Sequence, residues 1–260
     1  MNIDMEKIIE TIKKTDAIIF NPEYLNQITV KGPADYVTLV DKKVQDYLYQ
    51  SFHELYPDIA FMGEEKDNSD LDFTKNTWII DPIDGTTNLI HGCRFSAVSV
   101  GLWNGKEREM ELGIIYQPYS KEVFYAQRGK GAFLNGEPIQ VSKCNNFKDS
   151  VISIGTAPYH KEFAEEISRI SREMLTQCSD IRRTGSAALD IAYIASGRLE
   201  GYYEKILSPW DYAAGLVILK EAGGMLTDCS GQALSGTCAS SVCCSNGAVH
   251  QEMLAIIQHS

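Results

Sequence analysis

Basic charge is scarce in this chain. It sets 24 lysines and arginines against 35 aspartates and glutamates, for a formal net charge of −11 and an isoelectric point near 4.9. A broad nucleic-acid-binding or anionic-membrane surface needs clustered Lys and Arg, so direct contact with either is not expected. A phosphate substrate stays open, because bound cations reverse the local sign of an acidic site. Long apolar runs are also missing. No stretch of about 18 apolar residues offers a membrane span, and the charged N-terminus MNIDMEKIIETIKK lacks the apolar core of a secretory signal. The expected compartment is the cytoplasm. Cysteine is present but poorly arranged for staples: the seven, at 93, 144, 178, 229, 238, 243 and 244, are odd in number and suit a reducing environment. Cys238 with Cys243 and Cys244 forms no zinc motif, since no CxxC pair or suitably spaced His completes four ligands. Internal repeats, low-complexity tracts and linkers are absent too. With 260 residues, 44% of them hydrophobic and 23% charged, the chain reads as one compact domain able to bury a substantial core.

What the chain does have is the run from Trp78 to Leu89, WIIDPIDGTTNL, which sets Asp81 and Asp84 in a tight turn after an apolar strand. Mg²⁺ takes hard oxygen ligands, one or two carboxylates plus phosphate and water, and two such ions can clamp both oxygens of a phosphoryl displacement. Pro82 stiffens the turn, so that both carboxylates and the Ile83 carbonyl converge. Gly85, Thr86 and Thr87 open a helix whose free N–H groups favour an anion. The same Asp84 also reads as a simple helix N-cap. Two further acidic points favour a metal: Glu64 after the apolar Phe61-Met62-Gly63, and Asp211 in Pro209-Trp210-Asp211. Each has an alternative, Glu64 as a solvated charge and Asp211 as the third helical residue of a capping box begun by Ser208. Trp210 reads as core packing.

Periodicity predicts helices at roughly 4–18 and from about Asp41 to Leu55, with a Pro- and Gly-bearing loop near 31–36 between them. Short apolar strands follow at about 60–62, 77–80, 97–102, 113–117 and 122–127, as in a mostly antiparallel sheet, and Leu134 to Glu137 fits a hairpin turn. Past about 150, strands at 151–155, 181–183 and 201–204 alternate with helices near 160–177, 186–196 and 209–222. This is an α+β lobe followed by an α/β lobe, divided near 145.

In these pieces the chain resembles the inositol monophosphatase family of Mg²⁺-dependent, lithium-sensitive phosphatases, in the superfamily that includes fructose-1,6-bisphosphatase. The resemblance runs almost end to end: Lys31 to Asp41, Gly63 to Glu65, Trp78 to Asn88, Gly113 to Pro118, Gly129 to Gly136, Gly185 to Ala188, Tyr203-Glu204 and Trp210 to Gly215. It implies the layered α-β-α-β-α sugar-phosphatase fold, with an antiparallel lobe at about 1–145 and an α/β lobe at about 146–260. It implies two Mg²⁺ ions, one held by Glu64, Asp81 and the Ile83 carbonyl and one by Asp81, Asp84 and Asp211. A metal-activated water would be the nucleophile, oriented and deprotonated by Thr86 and Glu64. Asp41 would either extend that relay through Thr86 or hold a weaker third ion, and it also reads as the N-cap of its own helix. Asp84, Gly85, Thr86 and Asp211 would face the phosphate, while Gly185, Ser186, Ala187 and Glu204 would hold polyol hydroxyls. Ser186 as a helix cap and Glu204 as a surface acid are the alternatives. His91 and Cys93 match no catalytic position of the family.

The implied substrate is a small phosphorylated polyol, inositol monophosphate first. Thr86-Thr87-Asn88 matches the inositol branch, whereas Lys205 to Pro209 departs from the animal enzymes. Fructose-1,6-bisphosphatase and histidinol-phosphatase activities are the rivals, with Arg172, Arg182 and Arg183 as candidates for a second phosphate. From another class, some bacterial relatives bind the transcription machinery, which would make this chain a transcription or ribosome-maturation accessory protein with incidental phosphatase activity. The family also implies a homodimer and inhibition by lithium.

Overall fold

The computed structural model describes residues 3–25, 27–32 and 35–259. Three N-terminal helices, α1 (Met5–Lys13), α2 (Asp16–Ile19) and α3 (Pro22–Leu25), precede a hairpin of β1 (Ile28–Gly32) and β2 (Asp35–Thr38) and the long helix α4 (Leu39–Leu55). A seven-stranded sheet comes next, formed by β3 (Ala60–Gly63), β4 (Thr77–Asp84), β5 (Ala97–Asn104), β6 (Glu109–Gln117), β7 (Glu122–Gln127), β8 (Ala132–Leu134) and β9 (Glu137–Ile139). The short helix α5 (Thr86–Ile90) leaves β4. The remaining strands and α-helices are β10 (Val151–Ile154), α6 (Ala164–Gln177), β11 (Asp180–Arg182), α7 (Ala187–Ala195), β12 (Gly201–Leu207), α8 (Pro209–Glu221), β13 (Met225–Thr227), β14 (Ser240–Ser245) and α9 (His250–His259), with short 3-10 turns at Phe147–Asp149 and Lys161–Phe163.

The seven strands lie in sequence order, antiparallel except for the parallel pair β3 and β4. The second sheet runs β11-β10-β12-β14-β13, parallel about β10 and antiparallel about β14. Strand side chains alternate faces, and here both faces are apolar. Ile79 and Ile115 point into a core shared with α7 and α8, whereas Trp78, Ile80, Ile114 and Tyr116 point to a core made with α1, α2 and α4. In the second sheet Tyr202 and Cys244 face α7 and α8, and Tyr203 and Cys243 face α6 and α9. The result is five layers, α-β-α-β-α. Helix α7 is buried nearly all round, as its apolar sequence, broken only by Asp190, requires of a helix between two sheets. The small residues of α8 let it lie close to the first sheet: a Cβ on Gly113 would come within 2.1 Å of the Ala214 carbonyl oxygen. Any larger residue at 113 would lift α8, at a cost of about 1–3 kcal/mol or more.

Several local expectations need correction. The predicted helix over 4–18 is interrupted after Lys13, where the Thr15 hydroxyl donates to the Ile12 carbonyl at 2.6 Å. The loop expected near 31–36 falls instead within the β1–β2 hairpin, although Pro33 and Ala34 lie outside the described residues. Thr38, not Asp41, is the N-cap of α4; Asp41 is the third helical residue of that capping box. Strands β13 and β14 and helix α9 were not anticipated.

Candidate active site

The first carboxylates are placed by a β-bulge rather than by a tight turn. Asp81 opposes Ser99 and Asp84 opposes Ala97, so three steps on β4 match two on β5. Residues three apart on a regular strand face opposite sides. Pro82 cannot join the ladder, and the extra residue re-aims the strand so that Asp81 and Asp84 reach one cavity. The Ile83 amide donates to Asp81 Oδ1 at 2.9 Å, closing the bulge. Gly85 follows as the N-cap residue of α5, with φ +87°, and a Cβ there would sit 3.0 Å from the Gly185 carbonyl. Only glycine lets the loop before α7 come so near. The N-cap reading of Asp84 therefore fails for α5, but the side chain does serve another helix: its Oδ2 accepts from the Ser186 hydroxyl at 2.5 Å and from the Ala188 amide at 2.8 Å, at the start of α7.

Asp211 arrives from α8. Pro209 occupies the first helical turn, and the Ser208 amide donates to Asp211 Oδ2 at 2.7 Å, as the capping-box reading expected. The cap leaves the carboxylate free to meet the others. Oxygens of Asp81, Asp84 and Asp211 all lie within 4.8 Å of one another. Glu64, just past the end of β3, hydrogen-bonds to Asp81 and is half-buried, not a solvated surface charge.

These groups line a cavity of about 810 Å³ together with Thr86, Gly185, Ser186, Ala187 and Glu204. Arg183 is the one Lys or Arg among its described lining residues, against six carboxylates. Burial, then Glu64, Asp84 and Asp211 in turn, push the Asp81 carboxyl well above the usual range. Burial followed by Asp84 and Glu64 does the same to Asp211. Asp84 is pushed up to about 6 by burial, although its bonds to Ser186 and Ala188 oppose the rise. Crowded together, these four acids repel one another and make a good hard-oxygen donor set for divalent cations, which would relieve the repulsion. The residues fit Mg²⁺.

Asp41 lies behind this wall. Its Oδ1 accepts from the Thr86 hydroxyl at 2.9 Å, and Oδ2 accepts from the Thr38 amide at 2.8 Å and from the Thr38 hydroxyl. The Thr86 hydroxyl is also 3.0 Å from the Ile83 carbonyl. With both oxygens bonded and only 1% of its surface exposed, Asp41 is better placed to orient Thr86 than to hold an ion.

Glu204 is buried in the middle of β12, so the surface-acid reading is set aside. Its Oε1 accepts from the Ala157 amide and its Oε2 from the Tyr202 hydroxyl, each at 2.6 Å. Burial raises its pKa, while those two bonds and Arg183 oppose the rise. Ser186 both donates to Asp84 and accepts from the Leu189 amide at 3.4 Å, so it caps α7 and lines the cavity at once. Of the three arginines singled out, Arg172 is exposed on α6, Arg182 pairs with Asp180, and Arg183 alone reaches the cavity, with Nε donating to Thr156 Oγ1 at 3.1 Å. Trp210 packs against the core and also lines the cavity, as does His91; Cys93 is exposed. All seven cysteines are free, and no zinc-type cluster occurs among the described residues. Sequence reasoning passed over Asn88, Thr184, Asp190 and Tyr202, which also line the cavity. Asp190 did carry a signal, an acid inside an otherwise apolar helix.

Comparison with known proteins agrees with this layout. Residues 5–260 match the model of the inositol monophosphatase family. An inositol-1-monophosphatase of Mesorhizobium japonicum is 38% identical over 209 residues, covering 79% of this chain and 76% of that one. The Nus factor SuhB of Vibrio cholerae is 39% identical over 206 residues, with 79% and 76% covered. Among solved structures, an IMPase of Thermotoga maritima superposes with a TM-score of 0.87 at 32% identity, over 98% of this chain and 96% of that one.

Proposed function

We propose, from the premise that the chain belongs to the inositol monophosphatase family and is a phosphatase, that it is a Mg²⁺-dependent phosphomonoesterase acting on inositol monophosphate or a closely similar polyol phosphate. The observation that carries the reading is the cluster of buried Asp81 and Asp84 with half-buried Asp211, and with Glu64 bonded to Asp81. Glu64, Asp81 and the Ile83 carbonyl would hold one ion, and Asp81, Asp84 and Asp211 a second. Bound there, Mg²⁺ supplies Lewis-acid stabilisation of phosphoryl charge and makes water a better nucleophile near neutral pH.

The chain's own residues do the rest. Thr86, oriented by Asp41, holds the attacking water through its hydroxyl, and Glu64 takes the proton. The Gly85 and Thr86 amides bind phosphate oxygens. On the far wall Glu204 accepts from a substrate hydroxyl, with its orientation fixed by Tyr202 and Ala157, and the segment 185–187 supplies further polar contacts. Among the described lining residues Arg183 is the one Lys or Arg, and a bisphosphate would call for a second basic cradle.

Phosphate release from inositol 1-phosphate, fructose-1,6-bisphosphate, histidinol phosphate and 3′-phosphoadenosine 5′-phosphate, each with Mg²⁺ or EDTA, tests this. Mg²⁺-dependent turnover with inositol 1-phosphate preferred is expected. Turnover undiminished in EDTA, or a preference for fructose-1,6-bisphosphate, would overturn it. A second reading, a protein-binding accessory role, is favoured by the relative named as a Nus factor. A pull-down with an inactive Asp81→Asn variant separates the two, since a binding role survives loss of catalysis.

A further inference from the structure

Helix α7 is apolar along its length except at Asp190, the fourth residue after its Ser186 cap. This side chain is 2% exposed and lines the cavity. Its Oδ2 accepts from the Thr184 hydroxyl at 2.6 Å; Oδ1 lacks a partner of ordinary hydrogen-bond geometry, although the Ser153 hydroxyl stabilises the carboxylate from nearby. Burying a carboxylate with one oxygen outside ordinary hydrogen-bond geometry is costly, and an apolar residue would serve helix packing better. The fold alone does not account for an acid here.

What the acid does hold is Thr184. The Thr184 carbonyl accepts from Asn88 Nδ2 at 2.9 Å, so this residue is pinned from α5 through its backbone and from α7 through its hydroxyl. Gly185 comes next, at φ +92° with the Asn88 amide 2.9 Å from where a Cβ would be. Ser186 follows, and its hydroxyl together with the Ala188 amide fixes Asp84 Oδ2. The chain of contact is therefore Asp190 to Thr184, through the turn to Ser186, and on to Asp84.

We propose that Asp190 is a positioning residue for the metal centre: through its bond to Thr184 it sets the Gly185–Ser186 turn and thereby the orientation of the Asp84 carboxylate. It touches neither the reacting atoms nor an ion. Groups that orient metal ligands from behind are worth about 10–100-fold in metal affinity or activity when removed. The proposal deepens, and rests on, the reading of Asp81, Asp84 and Asp211 as a metal site.

The test reads Mn²⁺ binding to the full chain by loss of the free-ion EPR signal, with phosphate release from inositol 1-phosphate measured in parallel. Asp190→Ala should bind Mn²⁺ about tenfold or more weakly, with kcat falling by a similar factor. Asp190→Asn keeps an oxygen for the Thr184 hydroxyl and should stay within about threefold of wild type, whereas Thr184→Val, close to wild type in shape, should reproduce the alanine variant. Wild-type Mn²⁺ affinity in Asp190→Ala would overturn the proposal. So would an Asp190→Asn variant as weak as the alanine one beside a normal Thr184→Val, because charge rather than the bond to Thr184 would then be what matters. Failure of wild type itself to bind Mn²⁺ would instead remove the metal reading, and this proposal with it.

Discussion

Replacing Asp81 by asparagine should stabilise the metal-free protein while abolishing its response to Mg²⁺. Asp81 is 2% exposed, and burial followed by three neighbouring acids pushes its carboxyl well above the usual range. An acid with a raised folded pKa holds more protons folded than unfolded. Its contribution therefore worsens as pH climbs above the unfolded value, 3.8 here, until the folded pKa is passed. Asp84, pushed up to about 6 mainly by burial, sets the scale: about two pH units, on the order of 3 kcal/mol at neutral pH. Neutralising Asp81 removes its own penalty. A net gain on the order of 1–3 kcal/mol is reasonable, with each kcal/mol worth about 2–4 °C in Tm for a chain of this size. Asparagine is the right substitute because its Oδ1 still accepts from the Ile83 amide. Thermal unfolding would be followed by circular dichroism in EDTA and in Mg²⁺, at pH 7.5 and pH 5.0. The variant should melt above wild type in EDTA at the higher pH, the gap should narrow at the lower pH, and only wild type should gain from Mg²⁺. A variant melting several degrees below wild type in EDTA, or gaining equally from Mg²⁺, would refute the reasoning.

Other perturbations separate the roles of the remaining residues. Thr86→Val, which removes the hydroxyl between Asp41 and the Ile83 carbonyl, should lower kcat by about 10²-fold while leaving Mn²⁺ affinity near wild type, as initial rates and EPR titration would show. Glu204→Gln should raise KM for inositol 1-phosphate by about tenfold with kcat little changed, the signature of lost substrate binding rather than lost transition-state contact. Ca²⁺ in place of Mg²⁺ should suppress turnover, being larger and indifferent to octahedral geometry. Lithium at millimolar concentration should inhibit; unchanged rates in its presence would count against a centre built like those of the family.

The acidic core of the site was legible because its chemistry is local. Asp81 and Asp84 stand three residues apart beside a proline, and Asp211 stands behind Ser208-Pro209, so motif and cap chemistry coincide at the same residues. The strands expected at 77–80 and 97–102, which run on to 84 and 104, were legible because their apolar runs fill two cores, one on each face. What escaped depends on contacts distant in sequence. The bond from Asn88 to the Thr184 carbonyl spans 96 residues and leaves no periodic trace. Strand β14, Ser-Ser-Val-Cys-Cys-Ser, is short and carries little β-branched character, and it is held by pairing with β12 and β13 on either side. The hairpin of Ile28 to Thr38 was hidden by its Gly and Pro, which read as a loop. Tertiary pairing overrides such local signals wherever a strand is short.

The central claim is that Asp81, Asp84 and Asp211, with Glu64, form a two-ion catalytic centre. A crystal grown with Mn²⁺ and inorganic phosphate, measured at a wavelength where manganese scatters anomalously, tests it most directly. Two anomalous peaks about 3.5–4 Å apart, both within bonding distance of Asp81, are predicted. Manganese bound elsewhere, with these four carboxylates carrying none, would contradict it.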